Sequence, residues 1–271
     1  MITPLPYLTI HKVSGVDAGG FLHAQLAADI SALADGQSCF AAYCSPRGQV
    51  IAVLLVCRQD PAWFIITQAS LASLVANRLR MFVLRAKVHI EALPEMQVAG
   101  LNEHEITTSQ AAVFKPGSVS LRYVLTAPGV AHGAALMRWR LEEIRRGISW
   151  LQSETSERFL PQMLGLDRIG AVSFSKGCYP GQEIIARSRY LGKLKRRPVL
   201  LELDGSPTVK PGESCLLGCA NEHVEGVVVE VASADGTSAT MLVVAPLAAD
   251  RPLNSLEIEG ESWPVRRIDQ A

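Results

Sequence analysis

The sequence predicts an α+β protein, with two mixed units built on antiparallel sheet followed by a small all-β barrel. Three observations carry this reading. Up to Tyr190, strand-like runs alternate with amphipathic helical stretches. Beyond Arg197 only short strand-like runs remain, divided by turn signals. The 271 residues, 48% of them apolar, suffice for a sizeable core and two or three compact units.

Taken in order, residues 5 to 11 alternate enough for a strand. Asp17 is placed to cap a helix carrying Phe21, Leu22, Gln25, Leu26 and Ile30. Asp35-Gly36 reads as a turn, Cys39 to Tyr43 as a strand, Ser45-Pro46-Arg47-Gly48 as a turn and Val50 to Cys57 as a buried strand. After Asp60-Pro61, Trp63 to Thr67 completes an antiparallel meander. Leu71, Leu74, Val75, Leu79 and Phe82 mark an amphipathic helix from about Ser70 to Leu84, and Lys87 to Glu91 returns as a strand. The polar, turn-rich region from Leu101 to Ser118 reads as connection, and Leu121 to Thr126 as a strand. Ala134 to Arg146 is a helix with Met137, Leu141, Ile144 and Ile148 in register and Gly147 as its C-cap. Leu160 to Gly170, with Pro161, Gly165 and Gly170, is irregular. The barrel is read from strands at Val199 to Leu203, Ser214 to Leu217, Glu225 to Val231, Ala239 to Val244, Leu256 to Glu259 and Trp263 to Ile268, which puts a boundary near Leu191 to Pro198.

Charge and cysteine usage narrow the function classes. Net charge is zero, so any attraction to nucleic acid or membrane must be local. The chain opens without a basic-apolar-small leader, and no run of about 18 apolar residues occurs. The six cysteines do not make a dense disulfide framework, and the chain reads as cytoplasmic and reduced, without a membrane role.

The densest concentration of reactive side chains is Lys176-Gly177-Cys178-Tyr179-Pro180-Gly181-Gln182-Glu183. Gly177, Pro180 and Gly181 break regular structure, so Lys176 to Gly181 should be a tight turn and Gln182 to Tyr190 a short helix. Cys178 then lies just ahead of a helix N-terminus with Lys176 two residues away, and both features favour a thiolate. The plain alternative is a small buried apolar filler. A basic run follows, with Arg187, Arg189, Lys193, Lys195, Arg196 and Arg197 in eleven residues and no acid before Glu202. Such a run is either a solvated edge or an anion site, and nucleic-acid phosphates are one class of anion it can meet.

Lys176-Gly177-Cys178-Tyr179-x-Gly181-Gln182-Glu183, preceded by Phe159-Leu160-Pro161-Gln162 and followed by Arg187, resembles the signature of the YgfZ family, folate-binding relatives of the glycine-cleavage T-protein (aminomethyltransferase). Ser14-Gly15-x-Asp17-Ala18, Phe21-Leu22 and the Ser45-Pro46-Arg47-Gly48 turn fit it too. The resemblance implies a three-unit clover: a discontinuous folate-binding unit of residues 1–45 plus 115–192, a second unit of 46–114, and a barrel of 193–271. It also implies tetrahydrofolate or another reduced folate as ligand, and a part in the assembly, maintenance or repair of iron–sulfur enzymes, tRNA-modifying ones included.

On this reading Cys178 is the reactive residue and Lys176 tunes it. Tyr179 packs on a pterin ring and Gln182 or Glu183 reads its amide-like edge, while Arg187, Arg197 and Arg47 meet the folate's glutamate carboxylates. Each has a plainer role: Glu183 can simply stabilise the helix start, and Arg47 can be an ordinary turn residue. The partners implied are folate, iron–sulfur client proteins and a weak tRNA contact through the 187–197 run. The sequence departs from the aminomethyltransferases where their strand carries a carboxylate, since Ala52 and Val53 stand there. No residue at those positions can manage a proton in one-carbon transfer. Two other classes stay open: a one-carbon (aminomethyl- or methyl-) transferase with its acid/base elsewhere, and a tRNA- or protein-binding module. Cys215, Cys219 and His223 offer three ligands where structural zinc needs four, and Cys215 is expected to face a barrel core. Trp139 and Trp150 read as core packing.

Overall fold

The computed structural model describes residues 2–101, 113–117, 119–190, 194–219, 222–233, 236–246 and 252–268. Strands β1 (Ile2–Pro4) and β2 (Leu8–Ser14) precede helix α1 (Ala18–Gln25). The meander follows as β3 (Ser38–Cys44), β4 (Val50–Gln59) and β5 (Ala62–Gln68), and leads into α2 (Ala72–Met81) and β6 (His89–Ala92). Then come β7 (Gln97–Leu101), β8 (Val113–Phe114), β9 (Arg122–Thr126), α3 (Gly133–Arg145) and, after a long irregular stretch, α4 (Gln182–Tyr190). The chain ends in β10 (Arg196–Asp204), β11 (Ser214–Cys219), β12 (Glu222–Ala232), β13 (Ser238–Pro246), β14 (Leu253–Ile258) and β15 (Glu261–Ile268).

Three sheets result, antiparallel throughout: five strands in the order β3-β4-β5-β2-β6, four in the order β1-β7-β9-β8, and a closed barrel β10-β13-β12-β11-β14-β15. The expected boundary between residues 45 and 46 falls inside the β3–β4 hairpin, where Ser38 faces Cys57 and Tyr43 faces Ala52. These two strands therefore share one sheet across the expected boundary. The boundary expected at 192/193 lies outside the described residues, as do positions 102–112 and 118 of the expected connection. Of that connection, Val113–Phe114 is a strand paired with β9.

The barrel shows why the runs 199–201 and 241–245 are continuously apolar instead of alternating. Val199, Leu201 and Leu203 of β10, with Met241, Val243 and Ala245 of β13, fill the barrel interior. Their alternates Leu200, Leu242 and Val244 point outward into the main core shared by both open sheets. One barrel wall is thus apolar on both faces and welds the barrel to the rest of the chain. Cys215 and Cys219 sit inside the barrel as small apolar fillers.

Two expected local features differ. Asp17 precedes α1 but makes no capping bond; its carboxylate accepts the backbone N–H of Lys87 at 2.7 Å, tying the start of α1 to the approach to β6. Helix α2 stops at Met81, three residues short of Leu84, although the apolar pattern continues through Phe82 and Leu84. Those side chains face solvent, so no packing holds another turn in place.

Helix α3 meets the barrel through a buried ion pair, Arg140 to Glu230 of β12 at 3.5 Å, with Glu230 only 1% exposed. Burial pushes the Glu230 carboxyl up to about 7; Arg140 opposes this and the nearby Glu143 carboxylate adds to it. The folded value lies above the ordinary 4.5, so the stability Glu230 contributes is complete below pH 4.5 and is lost as pH rises through 7. Unfolding midpoints in urea between pH 4.5 and 7.5 should show the native chain losing up to about 3 kcal/mol relative to Glu230→Gln. A pH-independent difference between the two would show that Glu230 does not titrate in this window.

Candidate functional site

The motif segment folds as its glycines and proline require. Gly181 adopts φ +79°, and a Cβ there would lie 2.5 Å from the Ser45 carbonyl oxygen and 2.6 Å from Gly48 Cα. Only glycine allows this approach. Gly48, itself at φ +75°, abuts Ile184 and the Gly181 carbonyl. The structure therefore brings together the two turns that the sequence singled out: the Ser45–Gly48 hairpin tip rests on the first turn of α4. Arg47 projects exposed from that tip. Glu183 and Arg187, one helical turn apart on α4, are exposed, and Gln182 is half-buried, donating its amide to the Lys176 carbonyl at 3.4 Å.

Lys176 does not do what was expected of it. It is buried, and its ammonium donates to the carbonyl oxygens of Leu26 at 2.7 Å, Ala28 at 3.0 Å and His23. These three acceptors, on the last turn of α1 and the loop after it, use all three of its protons. None remains for the Cys178 sulfur. Burial pulls the Lys176 ammonium down to about 8, with the Asp29 carboxylate and the Cys39 thiol acting in the other direction. The residue clamps the motif loop to α1.

Tyr179 is likewise turned inward. It is 7% exposed, its ring lies 5.2 Å from the Lys176 nitrogen, and burial pushes its hydroxyl up to about 12. A ring so enclosed does not offer a face to a flat ligand. Among the described residues its hydroxyl has no hydrogen-bond partner, and neither do the Ser45 hydroxyl and the Gln162 side-chain oxygen. Gln162 meanwhile donates its amide to the Ile185 carbonyl of α4 at 2.7 Å. Three buried polar atoms thus lack partners around the seam between the hairpin tip and α4, and buried polar atoms without partners call for water or ligand atoms.

Cys178 is exposed on this loop. The basic run divides between elements: Arg187 and Arg189 end α4, Arg196 and Arg197 begin β10, and Lys193 lies outside the described residues. Arg189 stacks over Phe174 at 3.9 Å and reaches Tyr190 at 5.8 Å. Arg197 is half-buried on the barrel wall, opposite Ala245. Ala52 and Val53, where the aminomethyltransferases carry a carboxylate, are fully packed in β4.

Sequence reasoning overlooked a buried cluster on α3. Glu143 accepts hydrogen bonds from the hydroxyls of Tyr7 at 2.5 Å and Tyr123 at 2.8 Å and from the indole of Trp150 at 3.0 Å. The Arg140 guanidinium covers the Tyr7 ring at 4.6 Å. Burial pushes the Glu143 carboxyl above its ordinary value, and the three donors pull it back. The available signal was an acid one turn beyond Trp139 on the apolar stripe of a helix, at the position before Ile144. Trp139 and Trp150 themselves pack as expected, edge-on to Tyr123 and Phe40.

Comparison with known proteins gives both sequence and fold relatives. The chain is 30% identical over 214 residues to the tRNA-modifying protein YgfZ of Colwellia psychrerythraea, covering 68% of this chain and 66% of that protein. It is 27% identical over 246 residues to the tRNA-modifying protein YgfZ of Klebsiella pneumoniae, covering 78% and 75%. Among solved structures, the glycine cleavage system aminomethyltransferase T from Bartonella henselae superposes with a TM-score of 0.70 at 14% identity, over 99% of this chain and 84% of that one. That last likeness is one of fold. No family model matches the chain.

Proposed function

The chain belongs to the YgfZ family, and from that premise we propose that it is a tetrahydrofolate-binding protein that supports tRNA modification by assembling, maintaining or repairing iron–sulfur enzymes, with Cys178 as its reactive group. The observation that carries this reading is that Cys178 alone of the six cysteines is exposed. The other five are buried or half-buried, and burial pushes the Cys39, Cys44, Cys57 and Cys215 thiols upward, out of the range of useful nucleophiles. Cys39, Cys44, Cys57, Cys178 and Cys215 are free thiols, as a reducing cytoplasm would keep them.

The residues around the hairpin tip and α4 fit a reduced folate. Arg47 and Arg187 are exposed and have no ion-pair partner among the described residues, so each can take a carboxylate of the glutamate tail. Gln182 and Glu183 present an amide and a carboxylate suited to the pterin's donor–acceptor edge. Tetrahydrofolate, when bound, supplies a carrier for one-carbon units; the chain's own residues bind and orient it. Arg189 and its neighbours in the 187–197 run add a weak contact to tRNA phosphates. One-carbon transfer by the chain itself is disfavoured because Ala52 and Val53 are apolar and fully packed.

Cys178→Ala tests the assignment. With its side chain in solvent, the change should move stability by no more than about 0.5 kcal/mol, leave folate affinity within twofold, and abolish rescue of iron–sulfur enzyme activity in cells lacking the native factor. Full rescue would remove the thiol from the mechanism. Failure of reduced folates to bind the purified native chain would remove the ligand.

A further inference from the structure

The end of α2 carries apolar side chains that the fold leaves uncovered. Met81 is 67% exposed, Phe82 48% and Leu84 85%, in a chain whose interior is otherwise well filled. The flanking charges along the chain are basic, and the two nearby acids are engaged, Asp17 by the Lys87 N–H and Asp60 by Arg58. Residues 61–90 hold Arg78, Arg80, Arg85 and Lys87 and not one carboxylate, although the chain as a whole is neutral. Arg78 is tied to Glu157 and Arg80 to the Ile90 carbonyl, whereas Arg85 and Lys87 are exposed with no ion-pair partner among the described residues.

A hollow adjoins this protrusion. Gly15 is pressed against the Lys87 backbone, and Asp17 holds the Lys87 N–H at 2.7 Å, so the 15–17 turn lies alongside the 82–88 loop. On that turn Val16 is 84% exposed. It also lines an open recess of about 390 Å³ whose other walls include Gly19, Arg58, Asp60 and Trp63. The face therefore pairs a knob with a recess.

We propose that the Met81–Phe82–Leu84 protrusion, together with the recess beside Val16 and Trp63, is a docking surface for a protein partner whose apolar hollow is rimmed by carboxylates. The shape selects a protein. A fluid bilayer can take up protruding apolar side chains but has no fixed group to set into an adjoining recess, and an RNA phosphate chain leaves Met81 and Leu84 without apolar contacts. The composition agrees: Met, Phe and Arg are enriched at the centres of protein interfaces, and Met adapts to irregular partners. The charge selects the rim, since Arg85 and Lys87 steer and orient an acidic surface. This surface rests on the reading of the chain as a helper of other proteins, and it is separate from the hairpin tip and α4.

The test uses the full chain with a benzophenone amino acid in place of Leu84, irradiated in cells, followed by identification of the crosslinked peptide. The expected crosslink maps to a protein segment in which carboxylates flank apolar residues. With that partner purified, Arg85→Glu should weaken binding at least tenfold, and an acid-to-lysine change at the crosslinked rim should restore it. Crosslinks confined to lipid or RNA, a crosslinked segment without acids, no crosslink at all, or a charge swap that fails to restore binding would each overturn the proposal. Folate titration of the Arg85→Glu chain separates the two readings. Unchanged folate affinity leaves the α4 site standing whether or not docking is found.

Discussion

Glu143→Ala should be the most damaging single change in the molecule, costing about 5 kcal/mol in urea unfolding. The carboxylate is fully buried and accepts from three donors: two tyrosine hydroxyls and an indole. Alanine leaves all three polar hydrogens in the interior with no acceptor, at about 1–3 kcal/mol each, and opens a cavity as well. The Arg140 guanidinium also loses one of the two acids near it. The three donors come from the β1–β2 connection, from β9 and from the stretch after α3, so the loss is spread over the packing of the four-stranded sheet on the helix. Glu143→Gln is the control. Its amide oxygen can keep the Tyr123 and Trp150 bonds while its NH₂ turns to the Tyr7 oxygen, so the cost should be about 1–2 kcal/mol. Equal losses for the two variants would mean that side-chain volume matters at this position and hydrogen bonding does not.

Lys176→Met should cost about 4 kcal/mol, most of it felt in the motif loop. Methionine matches the length and volume of the aliphatic stem but leaves the carbonyls of His23, Leu26 and Ala28 without their shared donor. The ammonium is the principal side-chain tie between the motif and α1, so its loss should free residues 174–181 to exchange their amide hydrogens faster while the barrel stays protected. Cys178 reactivity toward an alkylating reagent separates the clamp from the tuning role first expected of this lysine. A clamp predicts that the methionine variant keeps an accessible thiol with a broadened orientation, so alkylation changes less than threefold. A tenfold or larger fall in alkylation rate at neutral pH, with the loop still protected from exchange, would restore Lys176 as the thiol's activator.

Most of the fold could be read from the sequence, and the reason is periodicity. The strand runs at 50–57 and 63–67 and the barrel runs after Arg197 are rich in β-branched residues and bounded by turn residues, and all became strands. Gln182 to Tyr190 began and ended as expected because Pro180 and Gly181 leave no other start. Short strands were not legible: the edge strands Ile2–Pro4 and Val113–Phe114 and the inner strand Gln97–Leu101 are held by pairing with distant partners, and few local signals mark them. Around the motif, Cys178, Glu183, Arg187 and Arg47 are exposed and Gln182 is half-buried, which leaves each open to the role proposed for it. Sequence reasoning misjudged Lys176 and Tyr179, whose side chains turned inward toward α1 and the seam beneath α4.

What the sequence by itself determined is the local grammar: where strands, turns and helices fall, which glycines must adopt left-handed backbone, and which stretch holds the chemistry. Local sterics and short-range hydrogen bonding decide these, and both are complete within a few residues. Only the tertiary structure decided that Ser45–Gly48 would dock on Gly181 across more than a hundred residues, that Lys176 would spend its protons on α1, and that Glu143 would be an interior acceptor. It also decided that one face of the barrel would join the main core. These outcomes depend on which buried polar group finds which partner, and that pairing exists only once distant segments are packed together.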